Sequence, residues 1–600
     1  MPTINADQAR SDYDVIIVGS GAGGGQMAYS LTLAGLKCLM LESGRSYDPV
    51  AETPMFQTGV HAPLGGAATP DKPFGFFDAT VDGGWEVPGE PYTQGSDRPE
   101  EQFLWWRARM VGGRTNHWGR ISLRNGPYDF KPYSRDGLGF DWPISYEDVE
   151  PYYTKVERLI GVYGSNEGLE NTPDSPEGVL QPPPRGRIGD LLAQQAGGRI
   201  GIPVVPIHRA VLTKPQDADE LAPLLHPDDE DAQRIVGDSM RSRAACFWAT
   251  DCGRGCSIRA NYQSTTVHLP PAMATGNLDL ISLAHAREVL VDGKTGKATG
   301  VLFIDKATGR EERVRAKAVV LAASSGETVR ILLNSKSNAF PEGLANRSGL
   351  VGKYIMDTVG SDLRGQIPAL EGLTPHNDDG AGGCHFYAPW WLYREQKAGK
   401  LDFARGYHVE IGGTRPMPRG NVPVPGSYLR GLFGTKLKEE ARRYYGSFIG
   451  FACRGEMIPN EDSYAELDPD VTDDWGIPVM KWHWKWSEQE LAMADHAQRT
   501  FEELIHEMGG TPAGGGGRSG RESILQGGKV IHEVGGAIMG ADPATSVCNR
   551  WNQTWDVDNL FLCDGSPFAS NADKNPTQTI MALAWRCADH LVTEARRGNL

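Results

Sequence analysis

The sequence predicts an α/β protein that opens with a βαβ unit. Residues 14–18 form a short apolar run rich in β-branched side chains, and a glycine cluster follows it at 19–25. The next residues, 26–34, have the composition of a helix, and 37–42 form a second apolar run typical of a strand. The unit occurs once, and no other segment repeats it, so the sequence does not indicate a solenoid.

The glycine cluster has the spacing of a dinucleotide-binding turn. Gly19, Gly21 and Gly24 fit G-x-G-x-x-G between the strand and the helix. Bare backbone and the N-terminus of the helix can accept a pyrophosphate there. Glu42 ends the second predicted strand, where a carboxylate can accept hydrogen bonds from ribose hydroxyls. The unit therefore predicts a bound dinucleotide, but the motif does not distinguish FAD from NAD.

Length and charge narrow the class of protein further. A chain of 600 residues is long enough for two domains around a large cofactor. The net charge of −16 repels phosphate backbones and anionic membrane surfaces, so we expect no nucleic acid partner. No apolar run approaches the roughly 18 residues that span a bilayer, and residues 1–10 lack the pattern of an export signal. We therefore expect no direct membrane span.

Three segments near the C-terminus indicate which cofactor is bound. His532 begins the run His-Glu-Val-Gly-Gly, Asp564 follows the apolar stretch 559–563, and Asn575 lies two residues before Thr577. In these segments the sequence resembles the glucose–methanol–choline (GMC) oxidoreductase family. The resemblance implies FAD as the cofactor and His532 and Asn575 as the catalytic pair that faces the flavin. It also implies cofactor contacts from Asp564 and Thr577.

The resemblance covers nearly the whole chain. Segment 109–118 resembles the flavin-contacting loop of the family, and segment 318–323 resembles its strand beside the adenine half. The further cofactor contacts that this implies are Gly113, Asn116, His117 and Ala323. Pyranose oxidases, which the loop also resembles, carry a histidine bonded covalently to the flavin at the position of His117. A plain contact near the isoalloxazine ring is the alternative.

The family resemblance also implies the architecture. We expect an α/β, GMC-type fold with a Rossmann-like FAD-binding domain and a substrate-binding domain built on a mainly antiparallel sheet with helices. The FAD-binding domain is expected to be discontinuous, with residues 1–130, 225–355 and 525–600. Residues 131–224 and 356–524 are expected to form the substrate-binding domain.

The chemistry of alcohol oxidation explains why a histidine and an asparagine suffice. A base must lie within hydrogen-bond reach of the hydroxyl that loses its proton. His532 is the candidate base, since a histidine near its usual pKa of about 6.5 is partly neutral, and the amide of Asn575 can donate to the developing alkoxide. A hydrogen-bonded core histidine is the structural alternative. Trp390, Trp391 and His385 are candidates for contacts with a sugar.

Three of the nine cysteines are close together in the sequence. Cys246, Cys252 and Cys256 form C-x5-C-x3-C, and intervening glycines allow backbone amides to approach sulfur. The spacing suits three thiolates around a 3Fe-4S cluster and matches the cysteine motif of FAD-dependent glucose dehydrogenases. Unligated cysteines and a zinc site are the alternatives, although zinc normally takes four ligands.

These features together lead to a hypothesis about function. The nearest resemblance is to catalytic subunits of bacterial glucoside 3-dehydrogenases and FAD-dependent glucose dehydrogenases. It implies oxidation of a secondary hydroxyl of a sugar or glycoside, with C3 chosen by analogy, and electron transfer through the iron–sulfur cluster to a cytochrome c or quinone. It also implies a small signal-bearing subunit and partner-assisted export to the periplasm, with a cytoplasmic location as the alternative. A sugar oxidase that uses oxygen and a flavin-binding electron-transfer module are the competing functions.

Overall fold

A computed structural model describes residues 2–53, 82–247, 252–374, 385–413, 424–514 and 517–600. The strands in chain order are β1 (Tyr13–Val18), β2 (Cys38–Glu42), β3 (Gly83–Gly84), β4 (Thr93–Gln94), β5 (Arg107–Ala108), β6 (Val205–Pro206), β7 (Leu278–Ser282), β8 (Ala284–Val291), β9 (Ala298–Asp305), β10 (Arg310–Leu321), β11 (Val359–Gln366), β12 (Phe386–Ala388), β13 (Tyr407–Gly412), β14 (Phe448–Gly455), β15 (Tyr464–Thr472), β16 (Pro478–His483), β17 (Thr511–Pro512) and β18 (Leu560–Leu562).

The helices begin with the one that follows the glycine turn. In chain order they are α1 (Ala22–Leu33), α2 (Pro49–Glu52), α3 (Pro127–Phe130), α4 (Pro132–Asp136), α5 (Tyr146–Ile160), α6 (Ile188–Ile200), α7 (Ala218–Leu225), α8 (Glu230–Arg241), α9 (Ser264–Val267), α10 (Leu269–Ala274), α11 (Ser325–Asn334), α12 (Tyr393–Lys397), α13 (Gly426–Leu429), α14 (Gly434–Tyr444), α15 (Glu488–Glu507) and α16 (Thr577–Arg597).

One sheet is mainly parallel and contains the βαβ unit. Its order is β7-β2-β1-β10-β9-β8, with β18 also paired to β10. The strands β7, β2, β1, β10 and β18 run parallel, whereas β9 pairs antiparallel with the first half of β10 and with β8. The parallel strands are nearly all buried, as expected where helices cover both faces. Their carboxyl ends meet at one edge, where open α/β sheets bind ligands.

Helix α1 lies unusually close to the strand that precedes it. A Cβ atom on Gly24 would lie 2.0 Å from the carbonyl oxygen of Gly19, and one on Gly23 would lie 1.6 Å from that of Cys563. Only glycine permits this approach, because any larger side chain would enter the backbone of its neighbour. The close packing fixes the N-terminus of α1 directly beside the carboxyl end of β1.

The second large sheet is antiparallel, with the order β17-β11-β14-β13-β12-β6. Alternate residues of β13 face opposite sides of it. Tyr407 faces helix α15, since its hydroxyl contacts His496 at 2.8 Å. His408 and Glu410 therefore face the other side, together with Arg454, which pairs with His408 across β13 and β14.

The two sheets and their helices confirm the predicted α/β fold class. The parallel sheet takes its strands from 13–42, 278–321 and 560–562, and the antiparallel sheet takes its strands from 205–206 and 359–512. The limits of the two domains stay a prediction. Among the described residues, no helix combines the length and apolarity that a bilayer crossing needs.

Candidate functional site

A large cavity opens at the carboxyl ends of β1, β2 and β10. It is lined by segments from both ends of the chain, including the glycine turn, the loop at 106–119 and the segments 530–533 and 575–577. The predicted site residues that line it are Gly19, Gly21, Glu42, Gly113, His117, Ala323, His532, Asp564, Asn575 and Thr577. The structure therefore brings ten of the predicted residues to one cavity.

The floor of the cavity near β1 is built from backbone. Gly21 precedes the first turn of α1 and has no side-chain cap, so amide groups of that turn are available to an anion. A Cβ atom on Gly21 would meet no other atom within 4 Å, and one on Gly113 would lie 3.6 Å from the Cα of Gly21. Two bare glycines thus face the space in front of a helix N-terminus, which fits a pyrophosphate.

Glu42 lies beside this floor with its carboxylate already oriented. One carboxylate oxygen accepts from the amide of Ser20 at 3.2 Å and from the Ser20 hydroxyl at 2.5 Å. The other accepts from the amide of Gly44 at 2.8 Å. Burial raises the pKa of Glu42. A carboxylate has about four acceptor positions, so room remains for a ribose hydroxyl, and these residues fit an adenosine dinucleotide.

A second acid lies on the same cavity at the end of β18. Asp564 accepts from the hydroxyl of Thr328 at 2.5 Å and from the amide of Ser566 at 2.8 Å. Burial raises its pKa despite these hydrogen bonds. Thr577 lies nearby and begins α16, so a second helix N-terminus points at the cavity. Asp564 and Thr577 are therefore placed to contact a polar part of the cofactor.

His117 lies in the wall of the cavity as a neutral side chain. Its Nε2 accepts from the indole of Trp106 at 3.0 Å, and its Nδ1 is buried with no hydrogen-bond partner among the described residues. Burial, with Arg120 and Arg114 nearby, lowers the pKa of His117 to about 3. The ring therefore contributes no positive charge at neutral pH.

Two predicted cofactor residues shape the site without lining the cavity. Gly24 lies inside α1, where its missing side chain permits the contact with β1. Asn116 is buried and donates to the carbonyl of Val111 at 2.9 Å, and its amide oxygen accepts from Gln263 and Thr265. Their role is to hold the glycine turn and the loop at 109–118 in place.

His532 and Asn575 come together from segments 43 residues apart. The amide nitrogen of Asn575 lies 3.4 Å from Nε2 of His532, and Nδ1 of His532 lies 3.1 Å from the hydroxyl of Thr358. Because an amide NH2 only donates, Nε2 is the acceptor and Nδ1 carries the proton toward Thr358. The backbone amide of His532 donates to Asp357 at 2.9 Å. The histidine is thus held in one tautomer.

The ionisation of His532 differs from the expected partly neutral state. Burial, with Arg454 nearby, lowers the pKa of His532 to about 3 rather than leaving it near 6.5. The imidazole is therefore neutral at any working pH above about 5, and its Nε2 lone pair points at the space shared with Asn575.

A carboxylate that the sequence analysis missed contacts this pair. Glu410 accepts from the amide nitrogen of Asn575 at 3.3 Å, forms an ion pair with Arg454 at 3.0 Å and lies 3.5 Å from Nε2 of His408. Burial alone would raise the pKa of Glu410, but Arg454 and His408 lower it below its usual range. The only sequence signal was a polar alternation, His-Val-Glu, within an apolar strand.

The three candidate sugar contacts lie elsewhere. Trp390 is buried against Tyr407, with ring centroids 5.0 Å apart, and Trp391 packs on both rings. His385 is buried, and burial lowers its pKa to about 2. The described residues that line the cavity include none of the three.

The three cysteines lie in and beside a loop of which residues 248–251 fall outside the described part of the chain. Cys252 and Cys256 are buried, and Cys246 packs with Cys252 in a small apolar cluster. Their three thiols do not all lie within 4.8 Å of one another, the spacing around a single metal ion; among the described residues the only group of three ligand atoms that close is Asp129, Glu456 and Asp573. Lys574 already occupies that acidic group, 3.0 Å from Asp129.

Comparison with known proteins indicates the family of the chain. Two family models, both described as GMC oxidoreductase, match residues 231–359 and 459–584. A 2-methyl-1,2-propanediol dehydrogenase from Mycolicibacterium austroafricanum is 30% identical over 98% of this chain and 96% of its own. The chain belongs to the GMC oxidoreductase family. The expectation of an FAD-dependent GMC oxidoreductase acting on CH–OH donors is therefore confirmed.

Other relatives of this GMC oxidoreductase differ in how much they share with it. The large subunit of fructose dehydrogenase from Gluconobacter japonicus is 28% identical over 98% of both chains. Among solved structures, a formate oxidase from Aspergillus oryzae RIB40 aligns over 98% of this chain and 99% of its own, with a TM-score of 0.63 and 14% sequence identity. The structural likeness shows the shared fold.

Proposed function

We propose that this GMC oxidoreductase is a dehydrogenase that oxidises a secondary hydroxyl of a sugar or glycoside. The observation that carries the proposal is the neutral His532, whose Nε2 lies 3.4 Å from the amide of Asn575 on the wall of the cavity. A base and a hydrogen-bond donor that share one point can bind a single hydroxyl oxygen and remove its proton. A module for electron transfer alone needs no such pair.

The protein's own residues do three things in this reaction. Thr358 holds Nδ1 of His532, so that Nε2 accepts the hydroxyl proton. Asn575 donates to the same oxygen as negative charge develops on it. Asn575 is buried and His532 is half-buried in the wall of the cavity, which limits the water around them and strengthens these hydrogen bonds. When bound, the flavin of FAD supplies the acceptor for the hydride that leaves the same carbon.

The test of this function is flavin reduction without oxygen. Purified holoenzyme mixed anaerobically with glucose, fructose or methyl glucosides should lose its oxidised flavin absorbance, and NMR of the product should identify a ketone and its position. We expect C3 of glucosides by analogy. An oxidised spectrum that persists across a broad panel of sugars and alcohols would overturn the proposal.

We further propose that Cys246, Cys252 and Cys256 bind a 3Fe-4S cluster. Besides the spacing, the support is a buried guanidinium: Arg120 donates to the carbonyl of Cys252, and its hydrogen-bond partners among the described residues are backbone carbonyls rather than carboxylates. A buried cation without a carboxylate suits thiolates. Such a cluster would supply a one-electron carrier toward a cytochrome c or quinone.

Analysis of iron and acid-labile sulfide, with EPR of air-oxidised protein, tests the cluster directly. Cys256→Ser should remove the signal, whereas Cys453→Ser, a buried cysteine of β14, should keep it. Absence of iron and of the signal in wild-type protein that still reduces its flavin with sugar would refute the cluster. It would also favour the second function, a pyranose-oxidase-like sugar oxidase, which the spacing of Gly113 and His117 supports and which would consume oxygen.

The cellular location follows from the same proposal. We propose a small subunit that carries an export signal and takes the folded protein to the periplasm, with a cytoplasmic location as the alternative. Expression of this chain alone, followed by cell fractionation, should leave it in the cytosol. Efficient export without any partner would contradict the proposal.

A further inference from the structure

Glu410 is the one carboxylate among the described residues that hydrogen-bonds a side chain of the catalytic pair, whereas Asp357 binds only the backbone amide of His532. It lies on β13 in the antiparallel sheet and reaches the amide of Asn575 from the side opposite α15. Removal of the hydroxyl proton by His532 does not require it. Its position, charge and partners therefore call for a separate explanation.

The two carboxylate oxygens of Glu410 have different partners. Oε2 forms the ion pair with Arg454 at 3.0 Å, while Oε1 accepts from Asn575 at 3.3 Å and lies 3.5 Å from Nε2 of His408. An ionised carboxylate only accepts hydrogen bonds. Oε1 therefore fixes which end of the Asn575 amide faces the pair, and it keeps a further acceptor position.

Arg454 also offsets the charge of Glu410, and His408 lies beside the same carboxylate. His408 lies between two acids, its Nε2 3.5 Å from Glu410 and its Nδ1 3.8 Å from Asp573, and although burial alone would lower its pKa, the two nearby carboxylates raise it. A cationic group on a substrate would gain little from a carboxylate that already forms an ion pair with Arg454. A neutral hydroxyl needs only a hydrogen-bond acceptor, so the pairing of Glu410 with Arg454 does not weaken its binding.

The distances place this acceptor beside the reacting oxygen. Oε1 of Glu410 and Nε2 of His532 each lie within 3.4 Å of the same atom, the amide nitrogen of Asn575. Glu410 is not among the residues that line the cavity, but its side chain is 13% exposed and one amide nitrogen separates its Oε1 from Nε2 of His532. A hydroxyl next to the one bound at His532 is the group that could span this distance. Two hydroxyl oxygens on adjacent carbons are separated by about the length of one hydrogen bond, so both groups can be engaged at once.

We infer that Glu410 is a specificity-determining residue that accepts a hydrogen bond from a second hydroxyl of the substrate, on the carbon next to the one oxidised. This inference rests on the proposed function and deepens it. The substrate class is a compound with neighbouring hydroxyl groups, such as a sugar or a vicinal diol, rather than a simple alcohol or an amino sugar that has an ammonium group at the neighbouring carbon.

The test compares matched substrates in matched variants. For the sugar that reduces the wild-type holoenzyme fastest, kcat/KM is measured by anaerobic flavin reduction alongside its monodeoxy analogues, each lacking one hydroxyl. The pair 1,2-propanediol and 2-propanol gives the same comparison without a ring. We expect kcat/KM of the wild type to fall roughly 10- to 100-fold when the neighbouring hydroxyl is absent. This is the range for the loss of a hydrogen bond to a charged group.

In Glu410→Gln, kcat/KM for the substrate should fall close to kcat/KM for its deoxy analogue. Only the substrate that has the second hydroxyl loses a hydrogen bond in this variant. Asp362→Asn removes an exposed carboxylate of the same sheet and should leave the wild-type ratio unchanged. Glu410→Asp keeps the charge on a shorter side chain and should restore part of the ratio. Flavin absorbance and thermal melting confirm that each variant is folded and loaded.

The outcomes separate this inference from the proposed function. A wild type that reduces its flavin with simple alcohols but with no sugar overturns the proposed function. A wild type that accepts sugars, yet whose ratio between sugar and every deoxy analogue survives Glu410→Gln, overturns only the assignment of Glu410. The assignment of Glu410 is also overturned if the wild type prefers the substrate with an ammonium group at the neighbouring carbon. An ionic contact would then outweigh the hydroxyl contact. If Glu410→Gln does not fold, a wild type that shows no deoxy penalty still refutes the inference.

Discussion

The cofactor half and the substrate half of the site are built from different chemical groups of the chain. The cofactor half consists mainly of backbone: a helix N-terminus, the glycine turn at 19–24 and one acid, Glu42, all within a short stretch of sequence. The substrate half consists of side chains from distant segments, among them His532, Asn575 and Glu410. Binding of the cofactor thus depends on small residues and close packing, whereas the reaction depends on the environment of a few polar groups.

The largest effect should come from His532→Ala in the substrate half. Removal of a general base should slow flavin reduction by at least about 100-fold, while the cofactor half still holds FAD. Stopped-flow reduction and the flavin-to-protein ratio measure the two quantities separately. His506→Ala, at an exposed histidine of α15, serves as the control. Near-normal reduction in His532→Ala would remove this residue from the mechanism.

The cofactor half can be broken at either of two glycines, with different results. A Cβ atom on Gly24 would lie 2.0 Å from a backbone oxygen, so Gly24→Ala should destabilise the fold by about 1–3 kcal/mol. The Cβ atom of Gly21→Ala would meet no protein atom within 4 Å.

We therefore expect Gly21→Ala to keep the melting temperature of the apoprotein and to weaken FAD binding. Calorimetry of apoprotein and fluorescence titration with FAD measure both effects. Equal destabilisation by the two substitutions would show that the space in front of α1 is not reserved for a ligand.

Asn575→Ala should have a smaller effect than His532→Ala. It removes one hydrogen bond to the substrate oxygen and leaves the base in place, so flavin reduction should slow by about 10-fold. It also removes the contact with Glu410, and the preference for neighbouring hydroxyls should weaken in the same variant. A reduction rate equal to that of the wild type would make Asn575 a structural residue.

Within the cofactor half, the flavin could be bonded covalently to His117 or only contact it. Nε2 of His117 accepts a hydrogen bond from Trp106, which leaves only Nδ1 for a covalent bond, and we expect a plain contact with the flavin. Acid precipitation of the holoenzyme should therefore leave the flavin in the supernatant. Yellow precipitate would instead establish covalent attachment, and His117→Ala should then release it.

Most of the cofactor half could be predicted from the sequence, because local spacing determines it. The order of β1, α1 and β2 agrees with the strand–helix–strand pattern of the chain, and Glu42 ends β2 as predicted. Glu410 could not be predicted, since it lies 165 positions from Asn575 and only the pairing of β13 in the antiparallel sheet brings them together. The low pKa of His532 has the same cause, which is burial by distant segments.

The smallest expected effect concerns Asp357, whose carboxyl group binds the backbone of the substrate half. It accepts from the backbone amides of His532 and Thr358, each at 2.9 Å, and its second oxygen is buried without a hydrogen-bond partner among the described residues. Burial, reinforced by the charge of Glu533, raises the pKa of Asp357 to about 7. In the unfolded chain the pKa of an aspartate is about 3.9.

A carboxyl whose pKa is higher in the folded state stabilises the fold at low pH, and this contribution is lost as the pH rises toward 7. Asp357→Asn keeps the shape and the two accepted hydrogen bonds but does not titrate. Its melting temperature relative to wild type should therefore rise between pH 5 and pH 8, by about 2 °C. Asp362→Asn, at an exposed site, should show a constant difference. A difference that does not change with pH for Asp357→Asn would mean that this carboxyl is ionised throughout the range, and its unpaired oxygen would then need a partner such as bound water.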